Sequence, residues 1–295
     1  MSPSIVIEVA LQGLLMGLVY GLMALGLSVI FGVVRVVNFA HGEFAVLAMY
    51  AAFVLFTALK LDPFLAMLPV AALFFVIGYA LQATLINPFI NRPEHEQFIL
   101  LVGVAIIMVN GLLMIFGPDA RHANLSYSFD SWLVETPFGQ PVIVDKVRAY
   151  AAGAALVVCG LLFAFFRYTL TGTAIRACAD NLVGAAVVGL HVKRLYALTF
   201  GLGLACVGAA GSIMVALTDA TPMLAPSFTL LAFTIVIVGG LGSMAGALVG
   251  GVLIGLAEAM ASLFVAPSMK SMVSFALLVA VLAVRPQGLL GRRAA

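Results

Sequence analysis

Arg35 to Phe44, RVVNFAHGEF, places an amide (Asn38), an imidazole (His41), a glycine (Gly42) and a carboxylate (Glu43) within six residues of an otherwise apolar stretch. An imidazole and a carboxylate this close can hold a metal, pass a proton or bind an anion. Spacing argues against zinc: HExxH needs a second histidine one helical turn on, and Ala45 and Met49 stand there instead. His95, His122 and His191 fall in other segments, so no nucleophile and base pair suggests an intramembrane enzyme. A second acid, Glu258, lies in another apolar run and reads either as a pathway residue or as one near a helix end.

The surroundings of these groups set their cost. Of the 295 residues 64% are hydrophobic and only 9% charged, with a mean hydropathy of +1.22. A soluble globule carries about a quarter charged residues, so this composition specifies an all-α polytopic membrane protein. Apolar runs at about 5–33, 39–59, 64–90, 97–117, 147–166, 195–217, 228–240, 244–265 and 271–284 predict eight or nine crossings, two of them short. The one long polar segment, 118–146, reads as an external loop of a single transmembrane domain spanning 1–295. The first basic residue is Arg35, so a signal peptide's charged start is missing and the first run is expected to be retained as a span. Cys159, Cys178 and Cys206 show no ligand spacing and read as small buried side chains. The net charge of +2 gives no reason to expect nucleic acid.

Basic loops stay cytoplasmic. An outside N-terminus and a cytoplasmic C-terminus put Arg35, Arg92, Arg167, Arg176, Lys193, Arg194, Arg285, Arg292 and Arg293 inside, and Lys60, Arg121, Lys146, Arg148 and Lys270 outside. A carboxylate within a span costs about 3 kcal/mol on insertion scales, so Glu43 at depth must face protein, water or a partner. Arg35 favours a cytoplasmic loop locally, yet Asn38 to Glu43 can climb into the membrane as the start of a broken helix. Its freed amides would then point at an anionic group.

Gly13, Gly17 and Gly21 repeat every four residues, as do Gly242, Gly246 and Gly250, and each set predicts a smooth stripe for close helix approach. The first stripe precedes NFAHGEF and the second begins inside GGLGSMAG, which suggests two interrupted segments in corresponding halves of an internal repeat. Between two spans, residues 167–194 predict one or two short amphipathic surface helices. Ile175, Cys178, Ala179 and Leu182 fall on one face, with Arg176, Asp180 and Asn181 projecting elsewhere.

Four ordered blocks, GLVYGLMALGLSVIFGVVRVVNFAHGEF, GTAIRACADNLVGAAVVGLHVKRLYALTFGLG, VGGLGSMAGALVGGVLIGLAE and RPQGLLG, resemble the branched-chain amino acid permease family of bacterial ABC importers, in its smaller permease subunit. The resemblance spans nearly the whole chain. It implies a multi-pass protein of the bacterial inner membrane, in the lipid bilayer, working with a second related permease, two P-loop ATPases and a periplasmic substrate-binding protein. Gly172 to Leu190 would dock on an ATPase, with Gly172, Arg176, Ala177, Asp180, Ala185 and Gly189 on patterned positions. Asn38, His41, Gly42, Glu43, Gly239, Gly240, Gly242, Ser243 and Glu258 are the pathway candidates. Cys178 and Asn181 depart from the expected pattern. ATP and magnesium would sit on the partners, with no cofactor on this chain: none of Lys60, Lys146, Lys193 or Lys270 follows a glycine, as a P-loop requires. Branched-chain amino acids are the default substrate by resemblance; amides and urea belong to similar permeases. The alternative is a self-sufficient ion-coupled transporter with Glu43 or Glu258 as its ion site.

Overall fold

The computed structural model describes residues 3–90, 92–135, 141–266 and 269–291. Among these described residues, eight helical stretches are long and apolar enough to cross a membrane. They are built on α1 (Pro3–Val34), α2 (His41–Leu59), α3 (Pro63–Leu81), α4 (Glu94–Phe116), α5 (Lys146–Tyr168), α8 (Val192–Met214), α9 (Ala225–Gly239) and α10 (Met244–Ala261). α6 (Leu170–Asp180) and α7 (Leu182–Val187) lie between α5 and α8, and α11 (Lys270–Val284) follows α10. A short antiparallel hairpin, β1 (Ser131–Val134) with β2 (Val142–Asp145), sits in the long polar loop.

The described ends of the chain lie at opposite ends of the bundle. Near the start of α1, Gln12 accepts a hydrogen bond from Arg148 at the foot of α5, 2.7 Å away, beside the hairpin. Near the other terminus, Leu290 N–H donates to Gly239 O at 2.9 Å, where α9 ends. α11, an apolar helix of 15 residues, runs from Lys270 at the hairpin end back to the basic end. The described basic residues segregate as expected. Arg35, Arg92, Arg167, Arg176, Lys193, Arg194 and Arg285 lie at what we call the basic end; Lys60, Arg121, Lys146, Arg148 and Lys270 lie at the hairpin end. Arg292 and Arg293 fall outside the described residues.

The first glycine stripe packs as its spacing demands. A Cβ on Gly17 would stand 2.8 Å from Gly251 O, and one on Gly13 2.8 Å from Gly255 O, so α1 and α10 run backbone against backbone. The second stripe does not hold as one face. Gly246 and Gly250 press on Gly239 and Ile235 of α9, while Gly242 meets Gly32 from the loop before α10. The four-residue period fails there because α10 begins only at Met244. The face toward α1 is instead Gly251 and Gly255.

At the hairpin end the Tyr127 hydroxyl donates to Asp62, whose other oxygen caps α3 through Phe64 N–H at 2.9 Å. Burial, then this carboxylate, pushes the Tyr127 hydroxyl pKa up. All three cysteines are free and buried, and burial raises the Cys178 thiol in α6.

Candidate functional site

NFAHGEF climbs into the bundle. α1 ends at Val34, yet His41 Nε2 lies 2.9 Å from Met23 O, about three turns or roughly 16 Å back along α1. Facing a carbonyl, Nε2 carries the ring proton. Asn38 Oδ1 accepts from Ala40 N–H at 3.1 Å, a local turn that starts α2 without a conventional cap. Gly42 N–H donates to Thr229 Oγ1 at 2.9 Å, and the same hydroxyl donates to Glu43 Oε2 at 2.9 Å. Thr229 stands just under three turns, roughly 15 Å, from the basic end of α9. Both lengths place this junction near the middle of a bilayer about 30 Å thick.

Glycine is obligatory at position 42: a Cβ would lie 2.2 Å from Ala225 O and 2.3 Å from Thr229 N. Asn38 and His41 are fully buried and Glu43 is 5% exposed. The carboxylate therefore faces protein, in the first turn of α2, where the helix dipole favours negative charge. Asn38 Nδ2 and His41 Nδ1 have no partner among the described residues.

The partner of NFAHGEF is thus the start of α9, not GGLGSMAG. Gly240 (φ 108°) and Gly242 (φ 77°) reverse the chain between two passes at the basic end, and Ser243 Oγ caps α10 through Gly246 N–H at 3.0 Å. RPQGLLG closes this turn, with Leu289 N–H on Val238 O and Leu290 N–H on Gly239 O, each at 2.9 Å. GGLGSMAG is consequently a connection rather than an interruption within a span. The segment between α8 and α9 is likewise a connection, at the hairpin end, where Ala220 N–H donates to Arg121 O at 2.8 Å before the helical span that begins at Pro222. Pro222 and Pro226 were its sequence signal, since each favours a helix start and lacks an N–H. Thr229 and Met23, the groups that hold Glu43 and His41, were missed because nothing local marks them.

Glu258 sits in the last turn of α10, and Ser274 Oγ of α11 donates to its Oε1 at 2.5 Å. Its neighbour Ala259 packs on Gly13, roughly 15 Å along α1 from Met23, so the two acids do not form one site.

A cavity of about 1350 Å3 opens at the basic end. It brings Arg176, Ala177 and Asp180 of α6 together with Gly242 and Ser243, and adds Arg35 and His95. Asn38, His41, Gly42, Glu43, Gly239, Gly240, Glu258, Gly172, Ala185 and Gly189 do not line it. Arg35 has a left-handed backbone (φ 58°), which costs a non-glycine residue about 1–2 kcal/mol.

The segment behind the cavity is two helices. Thr169 Oγ1 caps α6 through Gly172 N–H at 2.9 Å, and a Cβ on Gly172 would stand 2.4 Å from Phe165 O, which fixes the α5–α6 corner. Ile175, Cys178 and Ala185 are buried, while Arg176, Ala177, Asp180 and Gly189 face outward. Leu182 leaves the expected apolar face. α6 stops at Asp180, Asn181 Oδ1 caps α7 through Gly184 N–H at 2.9 Å, and Leu182 begins the new helix 47% exposed. Val183, Val187 and Val188 are 73–81% exposed beside it. That uncovered apolar edge, outside the spans, had no counterpart in the sequence reading.

Residues 9–282 match the family described as the permease component of the branched-chain amino acid transport system. The chain is 31% identical over 291 residues to the high-affinity branched-chain amino acid transport system permease protein LivH of Salmonella typhimurium, covering 95% of this chain and 94% of that one. It is 30% identical to BraD of Pseudomonas aeruginosa, described in the same words, with the same coverage. The probable LivH of Methanocaldococcus jannaschii is 26% identical over 92% of this chain and 88% of its own. No solved structure matches. With residues 9–282 matched, the chain belongs to the family of permease components of branched-chain amino acid transport systems.

Proposed function

We propose that this chain is the single-domain, inner-membrane permease subunit of an ABC importer for branched-chain or similar small amino acids. The observation that carries the coupling is the apolar edge of α7, Val183, Val187 and Val188, exposed beside Arg176 and Asp180 at the basic end. Apolar surface left uncovered outside the spans marks a place where another protein sits. An ATPase pair is the partner this reading assigns to it. The basic end is cytoplasmic by its arginines and lysines, and the hairpin end, with the N-terminus, faces the periplasmic substrate-binding protein.

In this mechanism ATP-driven closure of the ATPases pushes on α6 and α7. The close-packed Gly172 corner passes that push to α5 and to the wall of the cavity, while the α2–α9 junction stays as a fixed pivot. A second, related permease completes the pathway, and the access side changes as the two shift. The ion-coupled alternative has less support. Glu43 is enclosed by Thr229 and the α2 backbone, and Glu258 is tied to Ser274. Purification of a tagged chain co-expressed with its transport partners tests the assembly: two P-loop ATPases and a second permease are expected to copurify. A chain that purifies alone from such cells would contradict it.

A further inference from the structure

We propose that the basic-end cavity binds one anionic glycerophospholipid, with its phosphate on Arg35 and His95 and its acyl chains along Phe39, Phe98 and Phe166. The cavity lies between the end of α1, the start of α4, α6 and the end of α5. At about 1350 Å3 it exceeds the roughly 300–1,000 Å3 that encloses a drug-sized ligand, and it suits an occupant with tails better than a lone amino acid. Its wall runs from Arg35 inward to Ser28, close to two turns or roughly 10 Å of α1, the depth of a headgroup and the first part of its chains.

The charge is arranged to match. Arg35 and Arg176, with the imidazole of His95 as a hydrogen-bonding group, share the lining with Asp180. Arg35 forms no side-chain hydrogen bond or ion pair among the described residues, although it occupies a left-handed helix end where glycine is the unstrained choice. Ser28 Oγ, fully buried in the same wall, has no partner either. Beside the cations the wall is aromatic: Phe39 meets Phe98 edge-on at 4.6 Å, and Phe166 lines the α5 side. Cations at the surface, an unpaired hydroxyl deeper in and an aromatic slot between spans match a lipid whose headgroup is negative. α4, which forms the outer wall, is the least buried of the eight long helices, so the slot adjoins the bilayer.

The cavity shares Arg176 and Asp180 with the coupling segment, so the test reads lipid retention rather than transport. Delipidated full-length protein is titrated with dioleoylphosphatidylglycerol or dioleoylphosphatidylcholine and examined by native mass spectrometry. One phosphatidylglycerol is expected to be retained in preference to phosphatidylcholine. Arg35→Gly keeps the left-handed turn while removing the charge, and about fivefold weaker retention is expected from the roughly 1 kcal/mol that one cation contributes. Adding His95→Gln weakens it further; Arg35→Lys restores it; Arg148→Ala at the hairpin end leaves it unchanged. A photoreactive acyl chain should label Phe98 or Phe166. Equal retention of the two lipids, unchanged retention in Arg35→Gly, labelling confined to other faces, or displacement by equimolar sn-glycerol 3-phosphate would each overturn the proposal.

Discussion

The α2–α9 junction and the α6–α7 segment both carry polar residues in a chain with few of them, and they treat those residues in opposite ways. At the junction Glu43 and Gly42 share one hydroxyl, His41 holds a carbonyl, and no side chain larger than hydrogen fits at position 42. Along 170–190 Arg176, Asp180 and Gly189 face outward, and the valines of α7 have nothing over them. A buried carboxylate is tolerated in the first region because its partners are preorganised. In the second, apolar side chains of α7 are left exposed, which the proposed function assigns to a partner. The first is built as scaffold; the second is the surface that the proposed function makes a receiver.

The sharpest way to break this contrast is at Gly42. Gly42→Val drives a side chain into the α9 backbone, and loss of more than about 4 kcal/mol is expected, read as absence of monodisperse protein on size exclusion. At the receiving surface, Arg176→Glu or Val187→Asp should leave insertion and size-exclusion behaviour normal while ATP-driven uptake falls about tenfold or more in proteoliposomes. If either variant instead failed to fold, the segment would be scaffold too. Thr229→Val removes the hydroxyl that serves both Gly42 and Glu43. A loss of about 2–3 kcal/mol is expected in thermal melting, against less than about 1 kcal/mol for Thr229→Ser.

Smaller effects separate backbone from contact. Gly189 has φ 86° and open space around it, so Gly189→Ala should cost only the conformational term, about 1 kcal/mol, with uptake retained. Tyr127→Phe at the hairpin end is expected to cost about 1 kcal/mol. Its hydroxyl pKa is raised on folding, so the tie is intact below pH 10.0 and is lost only as pH rises above that; melting followed from pH 8 to 11 checks the sign.

Much of the fold was legible because its signals are local. Runs of apolar residues located the passes, and Gly13, Gly17 and Gly21 announced the face that α1 turns to a neighbour. Which neighbour was not legible: Gly251 and Gly255 lie far along the chain, and a glycine stripe does not state its partner. NFAHGEF could be recognised as a broken helix start from its polar types, but Thr229 is one threonine in an apolar run with nothing to distinguish it. Two readings failed by extending a period across a helix boundary. Gly242 was grouped with α10 although the chain is still turning there, and Leu182 with α6 although Asn181 caps a new helix between them.

In the proposed function this permease receives its energy at α6–α7 from ATPases and carries no ion-driven transport of its own. The direct measurement is radiolabelled leucine uptake into proteoliposomes, comparing the chain alone under an imposed proton or sodium gradient with the copurified assembly given ATP and the substrate-binding protein. Uptake only in the assembly, dependent on ATP and lost in Arg176→Glu, is the predicted result. Gradient-driven uptake by the chain alone, abolished by Glu43→Gln, would instead make it an ion-coupled transporter.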